Sequence, residues 1–277
     1  MKRILVPTDF SVASRSSLKF AIELASRAQA EVFVLHMVVL PLLQETTFGI
    51  QPIPADEQEL QKATKAANKV FEEIRKQFPS KVEVHFNTMH DDIVSGMQVF
   101  IKEMGIDQIV MSMHGSGDLE EFFIGSTAEK IARVSSVPVL SIPGDVALES
   151  IRNIVFPSNL APDQDDLIKD LKDLQRMLHA KLHVLLINTP VHFCNERQAQ
   201  ERLEQFAKNY SLCDFTINFR SHQFESSGII EFVNEIHGDM VAMATHGRSG
   251  LAHLLKGSIA EKVLHKIDYP IWTWKLK

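Results

Sequence analysis

Cysteine is almost missing from this chain: its 277 residues hold only Cys194 and Cys213. Their spacing is not that of a metal pair, and two thiols without a secretory leader point to a reducing compartment, so a cytoplasmic location is expected. Met1-Lys2-Arg3 before Ile4-Leu5-Val6 has the charge of a leader, but the apolar run stops at Pro7 and Asp9, too soon for one. No apolar run is long enough to span a bilayer. No Lys/Arg block stands out and the net charge is −6, which argues against nucleic acid or an anionic membrane as partner. A Walker lysine motif, a nucleophile elbow and a catalytic carboxylate pair are also lacking, so no reaction is assigned. His36, His85 and His90 do not have ligand spacing, and no metal site is expected.

What the chain does have is a glycine loop, present twice. Met240 to Met243 is an apolar run, Gly247, Gly250 and Gly257 follow, and a helical pattern runs from Ile259 to Ile267. This reads as strand, loop, helix. Backbone N–H groups at Gly257-Ser258, where the helix begins, favour an anion. His114, Gly115, Gly125, Ser126, Ala128, Glu129, Lys130 and Pro138 recur as His246, Gly247, Gly257, Ser258, Ala260, Glu261, Lys262 and Pro270, always 132 residues on. Pro7 and Ala30 recur as Pro157 and Ala180, 150 residues on. The first half therefore carries about eighteen extra residues in its middle, which fits an insert at the proline-punctuated stretch Leu40 to Ala55. Two domains are expected, residues 1–145 and 150–277, each large enough to bury a core.

In the first half, strands are expected at Lys2–Pro7, Glu31–Val39, Lys81–Thr88, Gln108–Met111 and Val137–Ile142. Helices are expected from Ser11, which serves as N-cap, to Ala28, and at Asp56–Gln77, Ile93–Met104 and Ser126–Val134. Leu40 to Ala55 reads as a loop serving as a lid or partner surface. Pro138 marks an edge strand or a strand start. The second half repeats the alternation, with strands near 182–188, 213–219, 239–243 and 270–274 and helices near 163–179, 195–209, 227–236 and 258–267. Such alternation implies an α/β fold of parallel, doubly wound, five-stranded sheets, with ligands beyond the carboxyl ends of the strands where strand order reverses.

Ile4-Leu5-Val6-Pro7-Thr8-Asp9-Phe10-Ser11, the two His-Gly…Gly-Ser-x-Ala-Glu loops and the final x-Pro-Val strand resemble the universal stress protein family, and two copies resemble a tandem member. The resemblance implies two flavodoxin-like sheets of strand order 3-2-1-4-5, related by a pseudo-two-fold axis across which the fifth strands pair. It implies stress response, a dimeric arrangement or self-association, and in nucleotide-binding members a phosphate pattern of Gly, two residues, Gly, nine residues, Gly, then Ser or Thr. Here Gly115, Gly125 and Ser126 keep that pattern in the first half, and Gly247, Gly257 and Ser258 in the second, with Gly250 inside the loop. The first glycine is Ser112 in one half and Ala244 in the other, so a Cβ stands where the backbone should approach the phosphates. The resemblance places Asp9 and a backbone contact at Met37 around the base. Their counterparts are Asn159 and Ile187.

Charge separates the halves. The first loop carries Asp118, Glu120 and Glu121; the second carries Arg248 and Lys256. Opposite charge favours a phosphate by about 1 kcal/mol per pair at 4 Å in water, and like charge opposes it equally. ATP or another adenine nucleotide is therefore expected in the second half, with modest affinity, in a protein that acts as a sensor or regulator. A module that binds no nucleotide and acts through dimerisation or protein partners is the alternative, and a slow ATPase the third reading. His114, His246, Glu129 and Glu261 read as structural, the glutamates favouring the first turn of a helix.

Overall fold

The computed structural model describes residues 1–38, 43–46, 49–52, 57–113, 126–246 and 268–276. In chain order the strands are β1 (Arg3–Thr8), β2 (Glu31–Met37), β3 (Leu43–Thr46), β4 (Gly49–Pro52), β5 (Val84–Met89), β6 (Gln108–Ser112), β7 (Val139–Ile142), β8 (Asn153–Pro157), β9 (Lys181–Asn188), β10 (Phe215–Ser221), β11 (Met240–His246) and β12 (Ile271–Leu276). The helices are α1 (Val12–Ala28), α2 (Glu57–Gln77), α3 (Ile93–Met104), α4 (Ser126–Val134), α5 (Asp165–Leu178), α6 (Glu196–Asn209) and α7 (Glu225–Glu235). The helix expected near 258–267 lies outside the described residues.

Ile4, Leu5 and Val6 of β1 are fully buried in sequence, as a parallel strand covered on both faces requires. Helix boundaries follow local chemistry. Ser11 caps α1, its hydroxyl accepting from the Ser14 N–H at 3.1 Å. Asp92 caps α3 through the N–H groups of Val94 and Ser95 at 3.0 and 3.2 Å. Those bonds, the Ser95 backbone first, hold its carboxyl below the usual range. Gly105 ends α3 at φ 60°, in the left-handed region that glycine enters without strain. Asn195 and Gln198 close α6 in a reciprocal capping box.

One ten-stranded sheet runs through the chain in the order β10-β9-β8-β11-β12-β7-β6-β1-β2-β5. The two five-stranded sheets expected of the halves are joined into this one by the pairing expected of the fifth strands: β7 and β12 pair antiparallel, Thr273 with Val139, Trp272 with Leu140 and Ile271 with Ser141. All neighbours on either side of that seam pair parallel. Pro138 precedes β7, where its missing N–H costs no ladder bond, and β7 is central rather than an edge. The stretch expected as a plain loop contains β3 and β4, which pair as an antiparallel ribbon. Thr46 and Ile50 suit strands, and Pro52 stands at the last residue of β4.

Helices α1, α2, α5 and α6 cover one face over a single apolar layer that includes Phe20, Phe71, Leu171 and Phe206. The opposite face has two layers among the described residues: one under α3 and α4 around Phe100 and Ile131, one under α7 around Phe232. At the amino ends of the strands Asp107 accepts from the N–H groups of Lys2 and Arg3 at 2.6 and 3.0 Å. Asp239 does the same for Arg152 and Asn153 at 2.9 and 2.8 Å.

The seam is polar inside. The fully buried Trp272 donates through Nε1 to Oε1 of Gln108 at 3.2 Å, and Nε2 of Gln108 donates to the Ile109 and Pro138 carbonyls. Trp274 donates to Asp170 of α5 at 2.9 Å. Trp272→Ala should lower unfolding free energy by about 3–5 kcal/mol, read from urea denaturation; an unchanged midpoint would show that the seam contributes little.

A second polar chain crosses β10, β9 and β8. His183 meets Thr216 Oγ1 through Nδ1 at 2.8 Å and Asn153 Oδ1 through Nε2 at 3.1 Å. Burial, then the nearby Lys181, hold its pKa below the ordinary histidine value, against the opposing pull of Asp214 and Asp239. The unfolded chain therefore takes up this proton first as pH falls. The stabilisation is complete above about pH 6.5 and is lost progressively below it. His183→Gln should narrow the gap between urea midpoints measured at pH 7.5 and pH 5.5; an equal gap in both proteins would assign the pH dependence elsewhere.

Candidate functional site

Strand order reverses beside β1 in one half and beside β8 in the other. β1 pairs with β2 along its whole length, from Arg3–Glu31 to Thr8–His36. With β6 it shares only Ile4–Gln108 and Leu5–Ile109. β8 likewise meets β11 only at Ile154–Met240 and Val155–Val241. The strands part after these pairs, which opens a crevice at their carboxyl ends. Ser112 ends β6 at one such place, and Ala244 lies in β11 at the other.

The loops entering the two crevices share one geometry. Asp9 Oδ1 accepts from the Ser11 N–H at 3.0 Å, and Asn159 Oδ1 from the Ala161 N–H at 3.1 Å. Thr8 Oγ1 accepts from the Phe10 N–H at 3.0 Å, and Ser158 Oγ from the Leu160 N–H at 3.0 Å. Phe10 and Leu160 both stand at positive φ, 65° and 57°. Side-chain oxygens two residues back hold the turn in place of a glycine. The Asp-to-Asn change thus keeps the loop and removes the charge.

Met37 ends β2 and Ile187 is the penultimate residue of β9. Each packs against a helix glycine. A Cβ on Gly96 would collide with Met37 Cε, and one on Gly228 would stand 3.0 Å from Ile187 Cδ1. Ser126 begins α4, so a helix N-terminus follows the first glycine loop. Gly115, Gly125, Gly247, Arg248, Gly250, Gly257 and Ser258 lie outside the described residues, as do the charges of both loops. The structure thus brings Asp9, Met37 and Ser112 to neighbouring strand ends in one half, and Asn159, Ile187 and Ala244 in the other.

The expectations did not include the hydroxyls of Thr8 and Ser158, the helix glycines, or Arg202, which donates through Nη2 to the Asn159 carbonyl at 2.9 Å. Gly96 and Gly228 stand 132 apart, a signal the repeat already carried. Arg202 has Val70 at the matching place, so no repeat pointed to it. Among the described residues no group of three acidic, histidine or cysteine side chains is placed to hold a metal, and no helix is long and apolar enough to cross a membrane.

A largely parallel sheet with helices on both faces and crevices where its order reverses defines an α/β protein of the flavodoxin-like kind. The model of the universal stress protein family matches residues 1–143 and 219–275, and the chain belongs to that family. A universal stress protein of Methanocaldococcus jannaschii is 29% identical over 156 residues, which cover 51% of this chain and 94% of that one. One from Bacillus subtilis is 26% identical over 145 residues, 50% of this chain and 97% of that one. The crystal structure of a universal stress protein from Archaeoglobus fulgidus shares the fold over 99% of this chain and 96% of its own, with a TM-score of 0.74 at 17% identity.

The matched loops make a local prediction. Asp9→Asn should leave stability unchanged, because an amide oxygen accepts the same N–H at 159. Asp9→Ala should lose about 1 kcal/mol. Denaturation of both variants tests this, and equal losses would mean that the carboxylate, not the turn, is what matters.

Proposed function

We propose that the chain is a tandem universal stress protein of the cytoplasm, with domains 1–145 and 150–277, that binds ATP or another adenine nucleotide in its second half and acts as a sensor or regulator. The duplication is supported by residues that meet their own counterparts. Leu140 pairs with Trp272, 132 residues on, and Arg27 of α1 donates to the carbonyl of Met177 of α5, 150 residues on, at 3.2 Å. Contacts between equivalent positions are what a two-fold axis produces. Such an axis occupies both fifth-strand edges within one chain, so any further self-association uses another surface.

The observation that carries the nucleotide reading is the early parting of strands one and four in both halves, with the paired turns of Asp9 and Asn159 at the mouths. The glycine loops continue from the strands that form the other wall. Their charges favour the second half, whose loop carries Arg248 and Lys256, whereas the first carries three carboxylates. Asn159 can still bond a base but lacks the carboxylate, so base preference is loose.

ATP titration by calorimetry tests the reading. Gly257→Asp places a side chain and a negative charge in the cradle and should weaken binding at least tenfold, about 1.4 kcal/mol. Gly125→Asp should leave it unchanged. Loss on the Gly125 change alone would move the site to the first half, and no ATP binding by the parent chain would refute the nucleotide reading.

A further inference from the structure

On the α6 side of the loop after β8 lies an open groove of about 600 Å³, within the range of small-molecule sites. Leu160 and Pro162 of the loop form one wall, and Cys194 and Phe206 of the opposite wall add apolar surface. Glu201 and Arg202 are its charged lining residues. Glu201 is held by Arg197, Oε1 to Nε at 2.9 Å. Arg202 makes no ion pair among the described residues, and its guanidinium is fixed to the Asn159 carbonyl. The groove thus presents one positioned cation beside an apolar wall, in a chain whose net charge is −6.

The first half builds the same place from other side chains. Phe10 stands where the second half has Leu160, and its ring lies 4.2 Å from that of His36 and 5.1 Å from that of Phe71. Val70 stands where the second half has Arg202 and packs on the core. The helices match in register, since Ala67, Phe71 and Ile74 are buried in α2 and Ala199, Leu203 and Phe206 in α6, each 132 apart. Every lining residue of the groove differs from its counterpart, Glu201 standing where the first half has Lys69, and two of the changes set its character: a phenyl ring is lost from the loop and a guanidinium is gained on the helix. The first opens space and the second supplies a charge with donors to spare.

We propose that this groove is a binding site separate from the nucleotide crevice, taking a small organic anion with a flat apolar body. Arg202 holds the anionic group, and the body lies on Leu160, Pro162 and Phe206. The amides along the rim do not change the charge, so a neutral molecule of the same shape binds less well.

The probe is 8-anilinonaphthalene-1-sulfonate, an aromatic monoanion, titrated by fluorescence beside N-phenyl-1-naphthylamine, which has the same rings without the sulfonate. The folded parent should bind one sulfonate probe per chain, about tenfold more tightly than the neutral one. Arg202→Gln should remove that preference. Leu160→Phe should weaken both probes by adding bulk to the loop wall of the groove. Phe193→Ser, a change at an exposed apolar residue outside the groove, should have no effect, and urea midpoints check that each variant is folded. Preference retained in Arg202→Gln, binding retained in Leu160→Phe, or binding lost in Phe193→Ser overturns the assignment. Gly257→Asp, the test of the nucleotide reading, should leave this titration unchanged, so the two ideas fail separately.

Discussion

The antiparallel ladder between β7 and β12 is the constraint on which the rest of the structure depends. Each is a short apolar strand that would otherwise end its sheet with open backbone donors and acceptors. By pairing they remove two edges and leave β5 and β10 as the only ends of the ten-stranded sheet. Because both bordering ladders are parallel, the antiparallel seam reverses strand direction between the halves. Their two crevices therefore open at opposite ends of the strands. The same step brings α1 against α5, so one face has a shared apolar layer.

The crevices owe their shape to where ladders stop. A strand can diverge from a neighbour only if it remains anchored elsewhere. β1 keeps its full ladder with β2, and β8 keeps one with β9 from Asn153 to Pro157. The amino ends of the same strands are tied by Asp107 and Asp239. With one end fixed and one neighbour retained, the carboxyl ends of strands one and four separate without loss of the sheet. A side-chain oxygen then closes each turn in a left-handed conformation that neither Phe10 nor Leu160 would choose unaided.

Much of this was legible in the residues. Matching positions at offsets of 150 and 132 set two copies of one strand-helix pattern, and Ser11, Gly105 and the buried run Ile4-Leu5-Val6 marked boundaries that the structure keeps. Less legible were features that depend on tertiary partners. Pro138 signalled an edge or a strand start; β7 starts at the next residue, yet whether it lay at an edge was not readable, because a strand that begins just after a proline can sit anywhere in a sheet. Prolines around Leu40 to Ala55 concealed β3 and β4, because proline ends a ribbon as readily as it breaks one. Arg202 has no periodic signature; its role appears only when α6 meets the loop after β8. The placement of Asp9 and Asn159 was readable, whereas their common turn needed backbone angles.

The two halves differ on both faces of the sheet. On the face under α3, Phe33 stacks against His85 with centroids 4.6 Å apart and Arg3 lies over its ring. At the counterpart positions His183 bonds to Thr216 and Asn153 takes the place of Arg3. One half fills this site with aromatic and cationic contacts, the other with a hydrogen-bonded chain, and the backbone ladder beneath is the same in both. A similar exchange separates Phe10 and Val70 from Leu160 and Arg202. Residues near the seam lack that freedom: a change at Trp272 acts on its neighbour strand, on Gln108 and on the packing of both halves at once. A core common to both halves thus confines their differences to outer faces and loop mouths. Those are also the surfaces that solvent reaches, so the halves can differ there while the core they share maintains the fold.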